Sequence, residues 1–279
     1  MARFALKTQP HHARWSDILD IWREADQIEL FESAWTFDHF YPISGDPTGP
    51  CLEAWVTLSA LAQATSRLRI GCMVHGMHFR HPAVTANMAA ALDIVSGGRL
   101  DLGLGAGWYE LEADAYGLRL GSVSERMDRF DEGVEVIARL LSQETTTFEG
   151  RHYRLQEARC EPKGPQRPRP PIVIGGKGEK RTLRTVARWA DMWDCVQIEP
   201  DAWRRKDEVL RAHCDEVGRD PAEITRSVHV LWSAEDEPAA LADRAVRFFE
   251  AGAEVAVFSM RAPFEASMIE PLASTLSDL

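Results

Sequence analysis

Four short runs of this 279-residue sequence gather groups able to move protons or hold an anionic, ring-shaped ligand. The first is Thr36-Phe37-Asp38-His39-Phe40. An acid beside an imidazole suits proton transfer, because imidazole alone titrates near neutral pH without help. The plain alternative is an Asp that caps a turn beside a surface His. The second run is His75-Gly76-Met77-His78-Phe79-Arg80-His81-Pro82, with three histidines and an arginine. No acid joins it and the spacing is not helical, so no metal site is expected. Apolar walls with a few donors suit an aromatic ligand.

The third run is Gly103-Leu104-Gly105-Ala106-Gly107-Trp108-Tyr109-Glu110. Gly105 and Gly107 allow close approach of backbone to a ligand, although the spacing is not that of a dinucleotide fingerprint. A tight turn after a buried strand is the alternative. The fourth run, Gly175-Gly176-Lys177-Gly178-Glu179-Lys180-Arg181, opens a helix. Glycine backbone N–H groups, a helix N-terminus and three cations make a phosphate or carboxylate site. A solvated charged turn is the competing reading.

These runs follow strand-like segments. Strands are expected at Arg3–Lys7, Ser33–Phe37, Leu68–Val74, Arg99–Leu104, Pro171–Gly175, Met192–Gln197, Arg226–Trp232 and Glu254–Ser259. Helical spacing falls between them at Trp15–Ile28, Leu52–Ser66, Pro82–Val95, Ser124–Gln143, Glu179–Ala190, Asp201–Val217, Pro238–Ala251 and Pro263–Leu276. Gly218 and Gly252 stand where left-handed helix caps belong. Eight strand–helix units predict an α/β fold closed into a single (β/α)8 TIM barrel spanning 1–279, with its site on the loops after the strands. An open doubly wound sheet is the rival. Thr145–Gln156 breaks the rhythm as a hairpin turning at Glu149-Gly150, an insertion before strand five.

Bulk properties narrow the function. With 45% hydrophobic residues the chain can bury a large core. A net charge of -11 argues against nucleic acid as a partner. No apolar run approaches membrane length, and the polar start MARFALKTQPHH does not read as a signal peptide. The five cysteines form no CxxC pair and read as small buried hydrophobes in a reducing, cytoplasmic setting.

The motifs resemble those of the luciferase-like flavin and deazaflavin oxidoreductases, nearly end to end and in order. The similarity rests on FDHF, FRHPAVTANMAAALDIVSGGRLDLGLGAGW and IVIGGKGEKRTLRTVARWADMW. Within the family the chain is most similar to the branch dependent on coenzyme F420, an 8-hydroxy-5-deazaflavin. The resemblance implies a luciferase-like barrel in which Asp38 contacts the deazaflavin and His39 lies near its reactive carbon as the proton-transfer group. It implies a bulge at Cys72-Met73-Val74 with a cis peptide at Met73–Val74, pressing on the ring. Met73, Val74, His75, Gly76, Gly105, Ala106, Gly107 and Trp108 would line the cofactor groove, and Gly175, Gly176, Lys177 and Gly178 would hold its phosphate. The sugar-phosphate dehydrogenase branch has a Glu at the place of Trp108, and its absence here argues against that substrate.

The implied reaction is hydride transfer between F420 and an organic small molecule, in a homodimer that pairs through barrel helices. The alternatives are an FMN-dependent monooxygenase fed by a separate reductase and a non-catalytic flavin- or deazaflavin-binding barrel. A cationic track through Lys180, Arg181 and Arg184 would favour the longer, glutamate-bearing tail of F420 over FMN.

Overall fold

The computed structural model describes residues 2–279. Its elements run β1 (Arg3–Thr8), α1 (Trp15–Gln27), β2 (Phe31–Thr36), α2 (Ala54–Ala64), β3 (Arg69–Cys72), β4 (His75–Gly76), α3 (Pro82–Val95), β5 (Leu100–Gly105), α4 (Glu110–Ala115) and α5 (Val123–Ser142). They continue with β6 (Thr146–Glu149), β7 (Arg154–Ala158), β8 (Ile172–Gly175), α6 (Thr182–Trp189), β9 (Met192–Cys195), α7 (Pro200–Val217), β10 (Thr225–Trp232), α8 (Pro238–Ala251), β11 (Val255–Met260) and α9 (Ile269–Leu276).

The main sheet is parallel throughout and closes on itself. It runs β3-β2-β1-β11-β10-β9-β8-β5, and β3 pairs with β5 to complete the ring. β4 continues the line of β3 and pairs with the end of β5. Counting β3 and β4 as one interrupted strand gives the eight expected. The open-sheet rival is thereby excluded. A closed ring has no edge strand to protect.

Local sequence explains the elements. The helix α1 turns Ile18, Ile21, Trp22 and Ala25 inward at helical spacing. Pro82, Pro200 and Pro238 start α3, α7 and α8, where a missing N–H costs nothing. Gly218 (φ 70°) and Gly252 (φ 109°) close α7 and α8 in left-handed conformations. Ser122 and Glu125 cap α5 reciprocally.

The boundaries differ from the sequence reading at three informative places. Leu68–Val74 is not one strand, because the chain breaks out at the cis Met73–Val74 peptide and resumes at His75. Strand six ends at Cys195, short of Gln197, and the helix after strand five, α6, begins only at Thr182. The hairpin is present as antiparallel β6 and β7, with Glu149 opposite Arg154. A short helix not expected from the sequence, α4, stands in the loop after β5.

Two apolar layers hold the barrel. Ala5, Trp35, Met73, Val173, Val255 and Val257 fill its interior. The larger layer lies between strands and helices and includes Trp22, Phe31, Phe130, Trp193 and Trp203. Trp35 lies flat enough against β3 that a Cβ on Gly71 would meet its ring at 2.2 Å. Glycine at 71 is therefore a packing requirement.

Candidate active site

The loops at the C-terminal strand ends bring the first, second and third runs together. From β2, Asp38 and His39 enter a shared cluster with the histidines and Arg80 that follow β3 and β4. Asp38 is completely buried and accepts from Arg80 Nη1 at 2.7 Å and from His75 Nδ1 at 3.3 Å. Burial pushes its carboxyl up, but the His75 hydrogen bond and the Arg80 guanidinium prevail and hold it down at about 2. Arg80 also reaches Glu53 at 2.7 Å, tying the β2 loop to the start of α2. Asp38 is thus an ionised strut whose oxygens face Arg80 and His75, away from solvent.

His39 is the side chain left to meet a ligand. Its Nδ1 lies 3.0 Å from Glu112 Oε1, while Nε2 has no protein partner and is not among the buried unpaired atoms. Phe37, Phe79, Trp108 and Tyr109 surround the imidazole edge-on, with ring centroids 5.3–6.4 Å away. Trp108 is 55% exposed and stacks on Tyr109 at 5.0 Å. Phe40 stacks on Tyr116 at 4.9 Å, extending the aromatic wall outward. Glu112 is absent from the sequence-level site. It comes from α4, one turn beyond the Trp108 position where an acid is missing, and nothing in the local pattern marks it.

The bulge lies beside this cluster. Lys7 Nζ donates to the Met73 carbonyl at 3.0 Å from inside the barrel, and His229 Nε2 lies 3.4 Å from Met73 Sδ. Lys7 is fully buried, and loss of hydration lowers its pKa against the opposing pull of Asp194. Val74 leans across the strand ends of β5 and β8. A Cβ at Gly105 or Gly175 would sit 2.5 Å or 3.0 Å from its methyl groups, and one at Gly103 would strike the Cys72 carbonyl at 1.8 Å. These glycines receive the bulge itself. Gly107 (φ 86°) likewise makes way for His78, whose Nδ1 would lie 2.2 Å from an added Cβ.

His75 and His78 hold different positions in this cluster. His75 stacks face to face on Trp55 at 4.0 Å and turns its side chain towards Asp38, so only its backbone can line the groove. Both ring nitrogens of His78 are buried without a partner, and burial lowers its pKa to about 4. At neutral pH this is an uncharged ring whose donor and acceptor are both enclosed by protein and unmet.

The fourth run lies past Val74, where β8 ends. Gly176 adopts φ 129°, and a Cβ on Gly178 would meet Thr182 Oγ1 at 2.9 Å, so the turn is built for bare backbone. Among the described residues, the N–H groups of Lys177, Gly178 and Thr182 find no protein acceptor, and α6 has no side-chain cap at Arg181. This cradle fits a phosphate. The cations behave less simply. Lys177 Nζ donates to the Gln197 carbonyl at 2.7 Å, and Arg181 is held by Asp128 at 2.9 Å and Asp131 at 2.5 Å. The cationic track therefore loses Arg181, leaving Lys180 and Arg184. Among the described residues, no group of three or more His, Cys, Asp or Glu side chains converges as a metal site. Cys51, Cys72, Cys160, Cys195 and Cys214 are free thiols.

A closed (β/α)8 barrel with an aromatic-walled histidine and a phosphate-ready turn on its C-terminal face has the build of a cofactor-dependent barrel enzyme. Residues 1–275 match the family model of the luciferase-like monooxygenases, and the chain belongs to that family. It is similar to the F420-dependent hydroxymycolic acid dehydrogenase of Mycobacterium tuberculosis, 30% identical over 244 residues, covering 87% of this chain and 66% of that protein. It is 32% identical over 212 residues to the F420-dependent glucose-6-phosphate dehydrogenase of Kineococcus radiotolerans, covering 75% and 61%. The chain thus spans just under two thirds of the length of these relatives. An F420-dependent secondary alcohol dehydrogenase in complex with an F420–acetone adduct superimposes with a TM-score of 0.88 at 20% identity, over 99% of this chain and 98% of that one, which establishes the shared barrel.

Proposed function

We propose that this chain is an F420-dependent oxidoreductase that interconverts an uncharged alcohol and its carbonyl compound. The observation that carries this reading is the continuous line from His39, past Val74, to the Gly175–Gly178 turn. It offers a proton carrier, a raised apolar step and an anion cradle in the order that a tricyclic ring with a phosphate-bearing chain requires. The F420-dependent relatives support the cofactor.

When bound, F420 supplies a hydride-carrying carbon. The chain's own residues supply binding, orientation and the proton. Gly175, Gly176 and Gly178 with the N-terminus of α6 would hold the phosphate. Val74, braced by the Lys7–Met73 hydrogen bond, would back the ring. Asp38 and Arg80 hold the loop that carries His39. His39 takes the alcohol proton at Nε2, or returns it to the carbonyl oxygen. Phe37, Phe79, Trp108 and Tyr109 keep water from that transfer and bring no charge to the substrate.

One observation favours the FMN-dependent reading instead. Arg181 is already neutralised by Asp128 and Asp131, which weakens the purchase for an anionic tail beyond the phosphate. A competition between F420 and FMN for the purified chain separates the two readings. The intact Asp38–His39 pair argues against a barrel that merely binds cofactor.

For assembly we propose one folding unit that pairs as a homodimer through α2 and α3. These neighbouring helices present Val56, Ala60, Val84, Ala91, Ile94 and Val95 outward. Their one charged residue, Asp93, is buried. In a chain that is 27% charged, an uncharged two-helix face suits a self-complementary twofold contact. A cytoplasmic location is proposed with it, supported by the free thiols and by the absence of any described helix long and apolar enough to cross a membrane.

A further inference from the structure

We propose that Glu112 is a positioning residue that locks His39 in a single tautomer, with the proton on Nδ1 and the Nε2 lone pair turned to the groove. The proposal rests on the reading of His39 as the proton carrier and says what makes it one.

The argument starts from burial. Glu112 has no exposed surface, so its carboxylate must be fully partnered or neutral. Its Oε2 accepts from the backbone N–H of Phe40, in a short contact, and from that of Tyr41 at 3.1 Å. Both partners can only donate. That pins one oxygen as a double acceptor. The other oxygen, Oε1, faces His39 Nδ1 at 3.0 Å. A carboxylate oxygen in that place is an acceptor, which assigns the proton to Nδ1 and leaves Nε2 bare.

The other polar groups around His39 have their own engagements. Asp38 is taken by Arg80 and His75, and the Tyr109 hydroxyl donates to the Pro42 carbonyl at 3.2 Å. The Cys51 thiol reaches only the His39 carbonyl, at 3.2 Å. His11 pairs with Gln9 at 2.7 Å, and burial and neighbouring cations keep it neutral at pH 7, as burial does His78. Among the described residues, Glu112 is therefore the one anion on the ring. When Nε2 takes a proton, the imidazolium forms against a buried carboxylate, inside an aromatic wall where that attraction is strong. In the oxidising direction the substrate O–H bond breaks and its proton goes to Nε2. The C–H bond breaks with its electron pair, which leaves as hydride to F420, and a carbonyl remains. The reverse direction returns the proton from Nε2 to the carbonyl oxygen.

Glu112→Gln isolates this role from a structural one. The Gln oxygen can still accept from Phe40 and Tyr41, so the loop keeps its anchors. The amide NH₂ then faces Nδ1 and forces it to become an acceptor, which moves the proton to Nε2. The experiment uses the full chain labelled with 15N-histidine, without cofactor, and identifies the His39 signals by their loss in His39→Ala. Expected are a bare Nε2 in the native chain and a protonated Nε2 in Glu112→Gln, with the remaining histidine signals unmoved. In hydride transfer with F420, kcat should fall about 100-fold, while the substrate KM and the cofactor affinity stay within about twofold. An Nε2-protonated native chain, or a tautomer that Glu112→Gln leaves unchanged, would overturn the proposal. If the tautomer switches while neither Glu112→Gln nor His39→Ala slows hydride transfer, Glu112 positions the ring as proposed, and the proton role given to His39 is what fails.

Discussion

Val74 occupies the space that a side chain at Gly105 would need, its Cγ2 lying 2.5 Å from where a Cβ would stand. The bulge and the glycines facing it are one packing unit. Gly105→Ala should cost about 1–3 kcal/mol by overpacking and weaken cofactor binding. Val74→Ala in the same chain should recover most of the lost stability, as coupled neighbours do. Urea unfolding of both single variants and the double variant reads the coupling. Additive losses would show that the contact is slack.

Arg80 is the second test of the frame. Arg80→Ala strands the fully buried Asp38 carboxylate with His75 as its remaining side-chain partner. Removing one partner of a buried pair costs about 3–5 kcal/mol. The urea midpoint should drop accordingly with an unchanged slope, because the fold and its exposed surface on unfolding stay the same.

The barrel was legible in the sequence because strand-like and helix-like segments alternate along the chain, and closure follows from their number. The site was half legible. Asp38 and His39 sit where strand ends put them, and the Gly175–Gly178 turn carries its chemistry on adjacent residues. Glu112 was not legible. Its partner His39 is 73 positions away, and the six-residue α4 that carries it is too short to show a period. Arg181 read as a free cation because its partners Asp128 and Asp131 lie 53 and 50 positions earlier. Gly105 and Gly107 read as ligand approaches, and the sequence could not show that Val74 and His78 also require bare backbone there. Spacing along a chain reports neighbours on one element and is silent on contacts made across the barrel.

Stability should decline in two stages on acidification. His11 and His78 have pKa values lowered from 6.5 to about 4, so the unfolded chain takes up their protons first. Their contribution is complete above pH 6.5 and fades as pH falls towards 4. Asp38, lowered from 3.8 to about 2, stabilises fully above pH 3.8 and loses its contribution as pH falls through about 2. The melting temperature followed from pH 8 downwards should begin to fall near pH 6.5. A flat profile down to pH 4 would mean that both histidines charge freely in the folded chain.

Charge placed on the α2–α3 face should break the dimer. Val56→Glu with Val84→Glu sets like charges against each other across a twofold contact, while both positions are exposed in the protomer. Sedimentation should show dimers for the native chain and folded monomers for the double variant. A native chain that sediments as a monomer contradicts the assembly.

The most direct measurement is a competition in which the purified chain meets equimolar F420 and FMN and the retained cofactor is identified by its absorbance. Retention of F420, with FMN left free, is the predicted result. Retention of FMN with F420 excluded would contradict the account and make this chain a flavin-dependent member of its family.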